Sequence, residues 1–319
     1  MRIVFMGTPD FAVDSLAALV ESSDHEIVAV ITQPDRPKGR GQKVLMTPVK
    51  EYALEKNLVV LQPAKIRIPE FIEELKALAP ELIVVVAFGQ FLPKEILELP
   101  KYGCINVHAS LLPKYRGAAP IHYAVMNGEK ESGVTIMRMD KGMDTGAMLA
   151  KVATYIGEDM TMGELHNELK VAGAHLLLEV IRGIEDGTIK DMPQNDAEAT
   201  YASLLDKEIE KIEWSKSASE IHNKVRGLNP WPGAYTLLPD GRKLKIWQTR
   251  VMTKENAGTK PGTVVAFSKE GFIVACGNGC LEVIEVQPES KKKMPADVYC
   301  NGYKMKLGEI LSLEVQNNG

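Results

Sequence analysis

Apolar residues in the first half of the chain come in short runs, separated by stretches whose apolar positions recur at helical spacing. Residues 2–6 (R-I-V-F-M) predict a strand, and Pro9 with Asp10 opens a helix reaching about Val20. Residues 26–32 (E-I-V-A-V-I-T) predict a second strand. Residues 81–87 (E-L-I-V-V-V-A) are apolar on both faces, as a central parallel strand is when helices cover both sides of its sheet. Residues 104–109 predict another strand, and helical stretches fall near 48–57, 69–79 and 93–98. This alternation implies an α/β fold: a Rossmann-like open, mostly parallel sheet. Strands over 133–139 and 147–156 follow, with an antiparallel course open to them. Thr161 and Glu164 form a capping box before a long helix whose apolar stripe runs through Leu165, Leu169, Leu176, Leu177 and Val180, with Gly183 or Gly187 ending it.

The texture changes beyond that helix. A polar, proline-containing stretch at 190–206 reads as a linker between a catalytic domain at 1–189 and a smaller domain at 207–319. After a helix at 217–227, short strands are predicted at 234–238, 243–251, 262–267, 271–275 and 280–286, punctuated by Gly, Pro and Asn, the pattern of a small β-barrel or sandwich.

A composition of 45% hydrophobic and 25% charged residues excludes global disorder. The net charge of −4 announces no nucleic-acid binder, yet residues 206–319 carry 17 Lys and Arg against 14 Asp and Glu, so a mildly basic end sits on an acidic body. Cys104, Cys276, Cys280 and Cys300 make no C-x-x-C pair, which predicts free thiols in a reducing cytosol. The N-terminal apolar run is too short for a signal peptide, and no run approaches ~18 apolar residues, so a cytoplasmic protein without a membrane span is expected.

Residues 106–117 read N-V-H-A-S-L-L-P-K-Y-R-G. Side chains in a strand repeat every two residues, so Asn106 and His108 at a strand end point the same way, at the carboxyl edge where open α/β sheets build their sites. Histidine serves as acid or base near neutrality, and an asparagine amide is a neutral donor for a developing oxyanion. An isolated N-x-H reads as readily as a structural histidine beside a turn. Residues 140–146 (D-K-G-M-D-T-G) place Asp144 between two glycines, either as a turn residue or as a carboxylate that supports a nearby imidazole or accepts a proton. Gly7 follows the first strand without G-x-G-x-x-G, which argues for a tight turn and against a dinucleotide site. Between Pro34 and Lys50 the chain carries Arg36, Lys38, Arg40, Lys43 and Lys50, with Asp35 as the one acid. Such a run is a solvated surface or a contact for phosphates and base edges; its prolines and glycines suggest a long irregular loop. Trp231 is expected to plug the core of the small domain.

The segments G-T-P-D-F (7–11), Q-P-D-R-P-K-G-R-G (33–41), A-F-G-Q-F-L-P (87–93), N-V-H-A-S-L-L-P-K-Y-R-G-A-A-P-I (106–121) and D-K-G-M-D-T-G (140–146) resemble the folate-dependent formyltransferases. The resemblance extends to K-I-E-W (211–214) and L-N-P-W-P-G-A (228–234). It implies a formyltransferase fold with an OB-like C-terminal barrel, and transfer of a formyl group from 10-formyltetrahydrofolate to an amine without a metal. The insertion at 34–49 and the C-terminal segments point to the branch whose amine is the α-amino group of methionine on initiator methionyl-tRNA. On this resemblance Asn106, His108 and Asp144 are catalytic. Ser110, Leu111, Leu112, Pro113, Phe88 and Gly89 contact folate. Arg36, Lys38, Arg40, Lys43, Lys291, Lys292 and Lys293 contact tRNA. Apart from the resemblance, a monomer is expected. A formyltransferase for a purine precursor or amino sugar, a 10-formyltetrahydrofolate hydrolase, and a non-catalytic tRNA binder are the competing readings. The first two share the Asn, His and Asp set without requiring the basic insertion and this C-terminal domain; the last has no use for the set.

Overall fold

In the computed structural model the described residues are 1–38, 43–253, 256 and 258–312, with Lys38 and Lys43 described in backbone only. The chain divides into two compact units: residues 1–120, 131–155 and 166–202 form one, and residues 121–130, 156–165 and 203–319 the other.

The strands of the first unit are β1 (Arg2–Gly7), β2 (Glu26–Ile31), β3 (Arg36–Lys38), β4 (Lys43–Leu45), β5 (Val60–Leu61), β6 (Leu82–Val86), β7 (Cys104–His108), β8 (Arg116–Gly117), β9 (Glu131–Arg138), β10 (Met148–Tyr155) and β11 (Tyr201–Ala202). The helices up to residue 185 are α1 (Phe11–Ser22), α2 (Pro48–Glu55), α3 (Pro69–Ala77), α4 (Lys94–Leu97), α5 (Pro120–Met126) and α6 (Met162–Glu185). Seven strands build one sheet in the order β10-β9-β7-β6-β1-β2-β5. The five from β7 to β5 run parallel, whereas β9 pairs antiparallel with both β7 and β10. Both faces of the parallel part are buried, which explains the unbroken apolar run of β6. On one face Val4, Met6, Ile83, Val85 and Cys104 pack with Phe71, Ile72 and Leu75 of α3 and with Ile96 of α4. The other receives α6, where Gly173 admits close approach: a Cβ there would stand 3.2 Å from Val107 and 3.3 Å from Val134. All five residues of the expected α6 stripe are buried, and the Thr161–Glu164 capping box is formed.

Two sequence expectations change here. The basic insertion is not irregular throughout. Arg36–Lys38 and Lys43–Leu45 pair antiparallel, with Arg36 opposite Leu45, because the pairing satisfies backbone groups that an irregular loop would leave to water. Arg40, with residues 39–42, lies outside the described residues. The stretch 190–206 is also more than a tether: β11 pairs parallel with β8, and Met192 bridges Met148.

In the second unit, β12 (Ala234–Leu237), β13 (Lys243–Met252), β14 (Val264–Phe267), β15 (Phe272–Ala275) and β16 (Cys280–Pro288) form an antiparallel sheet ordered β12-β13-β16-β15-β14, and β17 (Met294–Pro295) adds to β16. Ser312 bridges Leu237 and Ile310 bridges Thr263, so the terminal segment spans the two edges and closes the sheet. The helices α7 (Ala218–Gly227), capped by Ser217 and Glu220, and α8 (Ala296–Tyr303) cover a core that includes Trp214, Leu244, Ile246, Phe272 and Val283. Residues 156–165 join this unit because Arg226 donates to the Gly157 and Met160 carbonyls and His222 Nε2 donates to that of Glu158. Trp231 does not plug this core. It stands 64% exposed, while Trp214 and Trp247 are buried.

Candidate active site

β7 carries Cys104, Asn106 and His108 toward one side, as its period of two requires. Cys104 is sealed in the core beneath α4, and the next two positions emerge at the carboxyl edge, Asn106 half-buried and His108 buried. The switch in strand order falls between β1 and β6, and the loops after β1, β2 and β6 meet at this edge: Thr8 Oγ1 and Gln33 Nε2 both donate to the Phe88 carbonyl, at 3.1 and 3.2 Å. Backbone conformations that L residues avoid gather here, with φ of 46° at Ala87, 59° at Tyr115 and 54° at Asp144. Such positions persist where the surroundings over-determine them, and functional sites are where they cluster.

Asp144 arrives on the loop between β9 and β10. Asp140 Oδ1 accepts from the Gly142 amide at 2.9 Å and from Thr145 Oγ1 at 2.7 Å, closing a local turn. A Cβ on Gly146 would collide with the Arg138 carbonyl, so the loop needs glycine there. Asp144 Oδ2 accepts from the Gly117 amide at 2.8 Å and stands 3.7 Å from His108 Nδ1. Its Oδ1 is 3.5 Å from Asn106 Nδ2, a long contact that leaves the amide hydrogens largely uncommitted. His108 Nε2 lies 3.0 Å from the Tyr115 carbonyl; a carbonyl only accepts, so this nitrogen carries a hydrogen. Nδ1 then faces the Asp144 carboxylate, whose negative charge complements an imidazolium. The three side chains thus offer a neutral donor, an imidazole and a carboxylate around one point. Among the described residues no group of three or more His, Cys, Asp or Glu is placed to hold a metal.

The other sequence-derived positions divide. In 110–113, the Ser110 and Leu112 side chains are fully buried, Ser110 Oγ donating to the Lys114 carbonyl at 2.6 Å. The Phe88 side chain is likewise in the core, whereas Leu111 and Pro113 are half-buried. Gly89 (φ 85°) has no atom within 4 Å of its would-be Cβ, and Phe91 is 71% exposed. Arg36 is exposed on β3. At the base of the insertion, Lys50 bonds Asp35 at 2.5 Å and Gln62 donates to Asp35 Oδ1 at 2.8 Å; the Lys50 bond first, then Gln62, holds the Asp35 carboxyl below the usual range.

In the second unit Lys291, Lys292 and Lys293 are exposed, and Lys293 Nζ sits 3.6 Å from the centre of the Trp247 ring. Lys245 also faces that ring and Lys243 that of Tyr235. Sequence reasoning did not single out Lys243 and Lys245, although the alternation K-L-K-I-W puts both lysines on the outward face of β13. It also missed Arg116 and Gln194. Arg116 is buried at 2% exposure and bonds Gln194 and Asp196. Burial works against its charge, and Asp196 and Tyr201 outweigh that, so its pKa is raised. A charged residue inside the K-Y-R-G segment was the available signal for Arg116, and none marked Gln194.

Residues 1–181 match the protein family described as formyl transferase, and residues 204–304 match formyl transferase, C-terminal domain. A Clostridium novyi protein named methionyl-tRNA formyltransferase is 54% identical over 312 residues, which are 98% of this chain and 100% of that one. A protein of the same name from Acetivibrio thermocellus is 52% identical over 311 residues, 98% and 99% of the two chains. Among solved structures, the sugar 3N-formyl transferase WlaRD, in the presence of dTDP and 5-N-formyl-THF, superposes with a TM-score of 0.66 at 23% identity, covering 92% of this chain and 99% of that one. HypX from Aquifex aeolicus, in complex with tetrahydrofolic acid, gives 0.65 at 18% identity over 96% of this chain; this chain spans 48% of HypX. At these identities the two structures speak for a shared fold.

Proposed function

We propose a function that proceeds from one fact: the chain belongs to the formyl transferase family. The enzyme transfers a formyl group from a folate co-substrate to the α-amino group of methionine on initiator methionyl-tRNA, for translation initiation. The observation that carries this is identity above half, over nearly the whole of both chains, to methionyl-tRNA formyltransferases, because it spans the basic hairpin and the C-terminal unit as well as the catalytic sheet. The donor is 10-formyltetrahydrofolate, and the enzyme works as a monomer in the cytoplasm, where charged tRNA is found.

Asn106, His108 and Asp144 perform the reaction. The amine nitrogen attacks the formyl carbon, and the carbonyl electron pair moves onto oxygen. The Asn106 amide donates to that oxyanion, which it meets only as charge develops. His108 faces Asp144 through Nδ1, and its imidazolium form adds positive charge beside the oxyanion and supplies the proton taken by N10 as the C–N10 bond breaks. Asp144 supports that charge and accepts a proton from the attacking amine. The folate lies against Ser110, Leu111, Leu112 and Pro113 and against Phe88 and Gly89. Arg36, Lys38, Arg40, Lys43, Lys291, Lys292 and Lys293 meet the tRNA.

Incubation with initiator methionyl-tRNA and formyl-labelled 10-formyltetrahydrofolate should yield labelled formylmethionine after mild alkaline release from the tRNA. Transfer to a dTDP-amino sugar but not to methionyl-tRNA, or folate hydrolysis with no transfer, would refute the substrate assignment.

The lysines carry a separate expectation. If Lys291 and Lys292 each neutralise one phosphate, the plot of log binding constant against log salt for Lys291→Ala/Lys292→Ala should be shallower by about 1.4–1.8. Fluorescence titration over a range of KCl concentrations measures this, and an unchanged slope removes both residues from the tRNA contact.

A further inference from the structure

Asp144 sits on a loop that ends its sheet pairing at Arg138 on one side and Met148 on the other. The left-handed backbone at Asp144 turns two carbonyls, its own and that of Gly146, toward one side-chain amide: Gln194 Nε2 donates to them at 2.7 and 2.8 Å. The other end of the amide, Oε1, accepts from Arg116 Nε at 3.1 Å and from Arg116 Nη2 at 2.8 Å. Two carbonyls on one side and two guanidinium donors on the other leave only one orientation of the amide that satisfies all four bonds. Arg116 is itself anchored, its amide donating to the Thr200 carbonyl at 2.8 Å, and the next residue, Gly117, donates to Asp144 Oδ2 at 2.8 Å. The carboxylate and the backbone of Asp144 are therefore held by two groups that meet at one buried arginine.

We propose that Gln194, supported by Arg116, is a positioning residue for Asp144. It holds the carboxylate in register with His108 and Asn106 from within the 190–206 segment. The inference rests on the assignment of Asp144 and His108 to the reaction. Gln194 touches the backbone of the loop and no reacting atom, so its loss acts by displacing Asp144. A displacement on the order of 1 Å costs about 10²-fold in rate.

Gln194→Glu and Gln194→Met separate positioning from packing. The glutamate variant would still accept from Arg116 but set a carboxylate against two carbonyls. Methionine fills similar space and bonds neither side. A purely structural role predicts that Q194E, which keeps Arg116 paired, retains full kcat, while Q194M loses thermal stability. Positioning predicts that kcat for formyl transfer falls about 10–10²-fold in both variants, while KM for folate and for methionyl-tRNA stays within about twofold. Steady-state kinetics on the full-length protein, with circular dichroism melts to establish the folded fraction, reads the split; should one variant fail to fold, the other reads it alone. Wild-type kcat in a folded variant while His108→Ala is inactive overturns the positioning role alone. Wild-type kcat in both a folded Gln194 variant and His108→Ala overturns the site assignment and the inference with it.

Discussion

His108→Ala is expected to lower kcat for formyl transfer by about 10²–10⁴-fold, the range for loss of a general acid–base group. The imidazole is buried, bound through Nε2 to the Tyr115 carbonyl at 3.0 Å and facing Asp144 through Nδ1 at 3.7 Å. Alanine removes the imidazole proposed to carry the proton, and water entering the space does not replace it at a fixed position. Folate affinity should change little, because the His108 ring bonds the Tyr115 carbonyl and none of the residues proposed to bind folate. Removing the ring leaves the Tyr115 carbonyl without this bond, which costs stability on its own account. Rates are therefore compared at matched folded fractions from circular dichroism. A folded His108→Ala enzyme turning over near the wild-type rate would remove the chemistry from this strand end.

Asn106→Ala should cost about 10²–10³-fold in kcat, as for one oxyanion donor. Among the described residues its amide makes one contact, at 3.5 Å to Asp144, so alanine disturbs little of the resting structure. The loss should thus appear in kcat more than in KM or melting temperature. Asn106→Asp sharpens the test. It keeps the shape but replaces the donor with an acceptor of negative charge, which repels both the oxyanion and Asp144. Aspartate should be at least as damaging as alanine. An active Asn106→Asp enzyme would show that the side chain does not meet developing negative charge.

Which parts of this arrangement were legible in the chain depends on the range of the interactions behind them. The sheet followed from the alternation of strands and helices, with residues 81–87 marking its centre, because a strand apolar on both faces fits between two layers of helices. The common direction of Asn106 and His108 followed from the two-residue period, and the α6 stripe from the helical one, since both are local geometry. The closed C-terminal sheet was suggested by evenly spaced apolar runs, but its closure depends on residues 310–312 reaching strands far back in the chain.

The tertiary structure alone decided what long-range pairing decides. No local signal shows that Arg36–Lys38 pairs with Lys43–Leu45, since short basic and proline-bearing runs have weak strand preference. Nothing at Trp231 distinguishes a core plug from a side chain left in solvent; Trp214 and Trp247 fill the interior instead. Sequence pattern marked Asp144 as a candidate, but not its distance from His108, which is set by Gly117, Gln194 and Arg116 at separations of 27 residues and more. What the chain itself determined was each element's period and which groups could do chemistry. Bringing an amide, an imidazole and a carboxylate to one point required a sheet edge, a left-handed loop and a returning segment to satisfy one another's backbone bonds, and such mutual satisfaction exists only once the chain is folded.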